Sequence, residues 1–166
     1  MARLAIIQPC LWFDDQAEEA ARFYTGIFPD SAIGTITRYT DVGQEHHGKP
    51  VGSVLTVAFT LAGQPFVALN GGPVFRFNEA LSLQILCETQ DEVDHYWHHL
   101  SEGNPAAAME CGWLKDRFGL PWQVVPVRLT ELLADPDAEV VRRVTRAMFA
   151  MQKMDIASLE RAASAG

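Results

Sequence analysis

The chain has 166 residues, of which 48% are hydrophobic and 20% charged, and 13 Lys and Arg against 21 Asp and Glu give a net charge of −8. This length suits one compact domain, or two small halves that share a core. The negative balance repels phosphate backbones, so no nucleic-acid partner is expected. No apolar run approaches the ~20 residues of a membrane helix, so no membrane partner is expected either.

The cysteines and the N-terminus indicate the compartment. Cys10, Cys87 and Cys111 are an odd number of thiols without C-x-x-C spacing, which favours reduced thiols over a disulfide framework or a zinc knuckle. The first residues, MARLAIIQPCLWFDD, contain no apolar segment that ends in a small-residue cleavage site. The expected location is the cytoplasm.

The first half of the chain predicts the order β-α-β-β-β over residues 4–72. An acidic N-cap at Asp14-Asp15 should open a helix with apolar residues at helical spacing, and Pro29 should end it. Residues 41–50 predict a polar loop, and Ala62-Gly63-Gln64 a hairpin turn. The predicted strands are residues 4–13, 31–40, 51–61 and 65–70.

The same order starts again over residues 80–127, with a strand at 81–87, a helix at 90–101 and two or three short strands within 106–126. An internal repeat supports this division, because Gly63-Gln64-Pro65-Phe66 returns as Gly119-Leu120-Pro121-Trp122. The strand and helix that begin near Gln8 return in the same way near Ser82. The whole chain, 1–166, is predicted to be one domain.

Residues 129–166 lie outside the repeat and predict helices. Asp135-Pro136-Asp137 is a helix start, and Asp155 should cap a second short helix that carries Ile156 and Leu159. An apolar stripe follows the first start: Val140, Val144, Ala147, Met151 and Met154. This stripe can pack on its own sheet or form a subunit contact, and the sequence leaves both open.

Three stretches carry a family resemblance: CLWFDDQAEEAARFYTGIFPDSAI, ALNGGPVFRFNEALSLQILCETQDEVDHYW and CGWLKDRFGLPWQVVP. They resemble the PhnB-like branch of the vicinal oxygen chelate superfamily, which includes glyoxalase I, extradiol dioxygenases and bleomycin-resistance proteins. The resemblance implies an α+β fold of two βαβββ modules, whose curved mixed sheet surrounds a cavity, plus C-terminal helices. It also implies a homodimer.

The resemblance places four side chains where metal-dependent members hold their ion: Gln8, Val67, Ser82 and Gln123. Transition metals prefer imidazole, carboxylate or thiolate ligands. Amide and hydroxyl oxygens are weak neutral ligands, and valine cannot bind a metal. We therefore expect no metal and no cofactor at these positions.

Alternation along strands extends the predicted cavity face, since residues i, i+2 and i+4 share one side. The candidate ligand cavity comprises Gln8, Cys10, Trp12, Val67, Leu69, Ser82, Gln84 and Gln123, with Leu86 and Val125 on the same faces. A mostly apolar lining with a few amides suits a small organic ligand. The alternative is that these side chains fill a core.

Other groups suggest chemistry less strongly. His95, His98 and His99 should lie on the solvated side of their helix, and the loop Glu45-His46-His47 is a candidate cavity border. Cys10 is expected to be a small buried hydrophobe rather than a nucleophile. Leu69-Asn70-Gly71-Gly72-Pro73 predicts a turn, because a phosphate-binding loop would open a helix.

The favoured hypothesis is a metal-independent protein that binds a small, partly apolar molecule. A metal-dependent lyase, isomerase or dioxygenase is the first alternative, and whether any reaction is catalysed stays open. The second alternative comes from the family, whose members are often labelled 3-demethylubiquinone-9 3-methyltransferases. The chain has no G-x-G for a Rossmann-type methyl-donor site, and no catalytic residue can be named.

Overall fold

The computed structural model describes residues 6–165, which divide between Arg76 and Phe77 into two compact units. Both units combine helices with a small mixed sheet, so the predicted α+β class is confirmed. The first unit contains β1 (Cys10–Phe13), α1 (Ala17–Ile27), β2 (Ala32–Arg38), α2 (Gln44–His47), β3 (Val54–Leu61) and β4 (Gln64–Asn70). The second contains β5 (Leu83–Cys87), α3 (Gln90–Ser101), β6 (Trp113–Lys115), β7 (Pro121–Pro126), α4 (Val127–Leu133), α5 (Ala138–Phe149) and α6 (Ile156–Ser164).

The sheet of the first unit has the order β1-β4-β3-β2, with β1 parallel to β4 and the other pairs antiparallel. Helix α1 packs on one face and buries Tyr24 against the sheet. Leu11, Val57 and Ala68 alternate with less buried neighbours and point into this core. The opposite face of the sheet carries four of the five predicted cavity residues of this unit, namely Cys10, Trp12, Val67 and Leu69.

The first strand is shorter than its apolar sequence suggests. It begins at Cys10, because Pro9 has no N–H to donate to a ladder, although its carbonyl still accepts from Val67 N–H at 3.0 Å. Residues 4 and 5 of the predicted strand lie outside the described residues. The predicted hairpin turn is confirmed, and Ala62 (φ 47°) and Gly63 (φ 76°) occupy its two left-handed positions.

Two local predictions in the first unit were wrong. Helix α1 begins after Gln16 without a side-chain cap from Asp14 or Asp15, and its first N–H, from Ala17, donates instead to Asn70 Oδ1 at 2.8 Å. The predicted loop at 41–50 contains the short helix α2. This helix lies between Gly43 and Gly48, and both glycines have left-handed conformations.

The sheet of the second unit has the order β5-β7-β6, with β5 parallel to β7. Helix α3 packs on it and begins with a capping box between Thr89 and Glu92. A fourth strand is reduced to one bridge between Ala108 and Leu114. The second module therefore has three strands and a bridge where the repeat predicts four strands.

The C-terminal helices follow the second sheet directly. Helix α4 starts at Val127 without a side-chain cap, so the sequence has no capping residue that would predict this start. Asp137 and Asp155 cap α5 and α6 as predicted. The apolar stripe is only partly buried: Val144 and Met154 are enclosed, whereas the other members remain half-exposed. No helix within residues 6–165 is long and apolar enough to cross a membrane.

Candidate functional site

The open face of the first sheet carries Cys10 and Trp12 beside Val67 and Leu69. The register of β1 and β4 pairs Cys10 with Val67 and Trp12 with Leu69. The prediction that Cys10 is buried was wrong, since its side chain is exposed. The cause is alternation: Leu11 and Phe13 point into the core, which leaves Cys10 on the open side. Gln8 is exposed in the segment before β1 and joins no strand.

The Trp12 indole is held by its own unit. Its Nε1 donates to the carbonyl of Gly72 at 2.8 Å, and its ring meets Phe75 edge to face at 4.9 Å. A Cβ on Gly71 would come within 2.2 Å of the indole, so only glycine fits beneath this ring. The Gly71-Gly72 pair therefore seats Trp12, and the indole N–H already has a partner.

The second sheet brings three of the predicted site residues together. Gln84 on β5 pairs with Gln123 on β7, and Ser82 lies just before β5. Trp113 on β6, which was not predicted, pairs with the other side of Gln123. Gln123 Nε2 donates to Ser82 Oγ at 2.7 Å, and Gln84 Nε2 lies 3.4 Å from Gln123 Oε1. Ser82, Gln123 and Gln84 thus form a hydrogen-bonded polar row, which we call the amide row.

The amide row borders a groove of about 460 Å³ in the second unit. This volume falls in the range of small-molecule sites. The strands supply its floor, and α4 and α5 supply one wall. The residues that line the groove are Gln84, Cys111, Trp113, Gln123, Val125, Leu129, Thr130, Leu133, Met148 and Phe149.

Among residues 6–165, no Asp, Glu, Lys, Arg or His side chain lines this groove. The one titratable group among these lining residues is the Cys111 thiol, whose pKa is raised by burial and by the nearby Glu110 carboxylate. Cys111 is therefore a neutral thiol near pH 7. The site offers hydrogen bonds and apolar contact, and no fixed charge.

Four positions correspond to the metal ligands of metal-dependent members of the superfamily that the sequence resembles. The residues at these positions do not fit a transition metal. Ser82 and Gln123 bond to each other, Val67 has no donor atom, and Gln8 offers only a neutral amide. A second group of ligand atoms lies within 4.8 Å of one another on His98, His99 and Glu102. His98 and Glu102 are exposed, and both histidines contact the Glu102 carboxylate, so this group is a solvated surface cluster. His95 is also exposed, which agrees with the predicted solvated face.

Two further candidates, His47 and Cys87, make contacts that serve the fold. His47 lies against the Tyr39 ring at 4.5 Å, and its Nδ1 accepts from Lys49 N–H. Cys87 is fully buried. Its pKa is raised to about 12, mainly by desolvation and to a smaller extent by the charge of Glu92. Cys87 is thus structural, as its strand position predicts.

Sequence reasoning missed Asp116, a buried carboxylate in the loop before β7. Its Oδ1 accepts from the N–H groups of Phe118 and Leu120, and its Oδ2 accepts from Trp122 Nε1 at 2.8 Å. The local signal is an aspartate three residues before Gly119, a pattern typical of Asx turns. This loop fixes the start of β7 and so positions Gln123.

Comparisons with known proteins give the class and the family. The model of the 3-demethylubiquinone-9 3-methyltransferase family matches residues 5–125. A PhnB protein from Bacillus cereus, described as a 3-demethylubiquinone-9 3-methyltransferase, is 34% identical over 73% of this chain and 98% of its own, with a TM-score of 0.63. Protein PA1353 from Pseudomonas aeruginosa is 16% identical over 74% of this chain and 98% of its own, with a TM-score of 0.59. Among curated proteins, none matches this chain.

The chain shares the α+β fold of the Bacillus cereus PhnB protein. It belongs to the PhnB-like family described as 3-demethylubiquinone-9 3-methyltransferase. The match ends at residue 125, so helices α4 to α6 lie beyond the part that the family model covers.

Proposed function

We propose that this protein binds a small, partly apolar organic molecule without a metal ion, and that the groove beside the amide row is the binding site. The observation that carries this proposal is the amide row itself. Gln84 and Gln123 place neutral carboxamides at a groove whose other residues are mostly apolar, and Ser82 holds the Gln123 amide in place. In such sites a few polar groups orient the ligand and the apolar walls hold it.

The absence of ionised ligands at the inherited metal positions supports binding without a metal. Elemental analysis of purified protein should find far less than one zinc, nickel or iron per chain. About one metal per chain that is lost in Gln123→Ala would support the alternative, a metal-dependent lyase, isomerase or dioxygenase.

The binding test uses material that co-purifies with the protein. Native mass spectrometry of the parent should show an added mass that Gln84→Ala and Gln123→Ala reduce. Gln64→Ala is the matched control, because Gln64 is an exposed amide at a hairpin in the other unit. Equal occupancy in all four proteins would contradict this site.

The family description favours a second candidate, the transfer of a methyl group. Calorimetric titration with S-adenosylmethionine tests it directly. We expect no binding heat, because the chain has no G-x-G for a Rossmann-type donor site. Saturable binding together with methylation of a demethylubiquinone would replace the first proposal.

We also propose a cytoplasmic homodimer, as the resemblance implies. Light scattering on the eluting protein should give twice the chain mass of 18.4 kDa. A mass that stays at one chain across the concentration range would refute the dimer.

A further inference from the structure

The groove contains an element that the family match does not include. Leu129, Thr130 and Leu133 of α4 and Met148 and Phe149 of α5 form one of its walls. The matched region ends at residue 125, before either helix begins. The floor therefore lies within the matched residues, and the wall lies after them.

The wall differs chemically from the floor. Four of its five residues are apolar, and Phe149 is 63% exposed although it is a large aromatic side chain. An exposed phenyl ring at the rim of a groove can cover the flat face of a bound molecule.

The floor offers hydrogen bonds that the protein leaves open. Gln84 is exposed, and its Oε1 accepts no hydrogen bond from any residue in the described range 6–165. Its Nε2 donates one hydrogen to Gln123 over a long 3.4 Å and carries a second one. A carboxamide in this state presents an acceptor and a donor side by side.

Resting on the proposed function, we infer that α4 and α5 form the wall that selects the ligand of the groove. We infer further that this ligand is a neutral, flat, apolar molecule with one hydrogen-bond donor and one acceptor on the edge that meets Gln84. A charged ligand would lose its hydration and find no opposite charge among the groove residues. A neutral ring with one donor and one acceptor can satisfy Gln84 and lie between Trp113 and Phe149.

Two fluorescent probes with one scaffold test the charge selection. N-phenyl-1-naphthylamine is neutral, and 1-anilinonaphthalene-8-sulfonate is the same scaffold with a sulfonate. The parent should bind the neutral probe at least about tenfold more tightly than the sulfonate. This factor is the cost of partly burying one charge that has no opposite charge beside it. Gln84→Lys should reduce that preference, because it adds a cation to the floor. Equal or tighter binding of the sulfonate by the parent would overturn the neutral class.

A matched pair of variants tests the wall. Phe149→Ala should weaken neutral-probe binding about tenfold by removing one aromatic contact. Phe75→Ala, which removes a phenyl ring of almost equal exposure (62%) from the first unit, should change it less than about twofold. Phe149→Ala should melt like the parent, since its ring is exposed, and Phe75→Ala should melt only slightly lower, since it loses one edge contact with Trp12.

Protection of cysteines locates the probe independently of any variant. A saturating neutral probe should slow the reaction of Cys111 with N-ethylmaleimide and leave Cys10 unaffected, since only Cys111 lines the groove. Protection of Cys10 together with a loss of binding in Phe75→Ala would overturn the inference and leave small-molecule binding standing. No binding of either probe, with no co-purifying mass, would refute the proposed function itself.

Discussion

Asn70 Oδ1 accepts the backbone N–H of Ala17 at 2.8 Å, so the last residue of β4 caps the first turn of α1 across 53 positions of sequence. The same side chain donates through Nδ2 to the carbonyl of Val54, and the backbone carbonyl of Asn70 accepts from the Tyr39 hydroxyl at 2.6 Å. The buried Asn70 therefore links α1, β3 and the residue after β2 at one end of the first sheet.

We expect Asn70→Ala to lower the free energy of unfolding by about 2 kcal/mol, because a buried N–H and a carbonyl lose their partner. Urea unfolding measures this loss. Asn78→Ala is the control: Asn78 is exposed and bonds only locally, to Ala80 N–H, so its removal should cost less than about 0.5 kcal/mol. Equal effects of the two variants would show that Asn70 does not cap α1.

The Asp116 carboxylate and the Trp122 indole should be energetically coupled. Trp122→Phe keeps a ring but removes the donor to Asp116 Oδ2, and Asp116→Asn removes one carboxylate acceptor. A double-mutant cycle should give a coupling of about 1–2 kcal/mol in the free energy of unfolding. Trp113→Phe is the control for the ring change and should not couple to Asp116. Additive losses for Asp116 and Trp122 would contradict the bond.

The repeat predicted which positions of the two halves are equivalent, which the local patterns did not. It matched Val67 to Gln123 and the strand at Gln8 to the strand at Ser82, which makes Cys10 the counterpart of Gln84. The structure pairs Cys10 with Val67 and Gln84 with Gln123 in two parallel ladders, so the equivalence holds residue for residue. A duplicated module keeps its register because a slip by one residue would turn its buried face outward.

What the sequence could not predict depends on contacts between distant residues. The cap of α1 comes from Asn70, 53 positions away, and nothing near residue 16 signals it. Helix α4 begins without a capping side chain and is stabilised by packing, since Leu129 and Leu132 are buried. The groove wall was missed for the same reason, because it exists only once α4 and α5 lie beside β5 and β7.

The three thiols should react in the order Cys10, Cys111, Cys87. Cys10 is exposed and Cys111 half-buried, and the pKa of the enclosed Cys87 is raised to about 12, so almost none of it is thiolate at pH 8. Timed alkylation followed by peptide mass spectrometry gives the order, and Cys10→Ser should remove the fast phase. All three should be free thiols before alkylation. A disulfide, or Cys87 reacting as fast in native protein as in urea, would contradict the structure.

The start of α6 should respond to acid through Asp155. Its Oδ1 accepts from Ser158 N–H at 2.7 Å, and hydrogen bonds from the Ser158 side chain and backbone lower the pKa of Asp155 below its ordinary 3.8. A carboxylate whose pKa is lower in the folded state stabilises the fold above its unfolded-state pKa, and that contribution is lost as the pH falls through the folded value. Two variants of Asp155 test this contribution. Asp155→Asn keeps a cap acceptor but does not titrate, so the difference in unfolding free energy between parent and variant should be constant from pH 7 to 5.

This difference should then shrink below about pH 4, near the ordinary aspartate pKa. Asp155→Ala should lose about 1 kcal/mol already at pH 7, the usual value of an N-cap. Urea unfolding at each pH measures these differences, and one between parent and Asp155→Asn that stays flat down to pH 3 would mean that the charge of Asp155 does not stabilise α6.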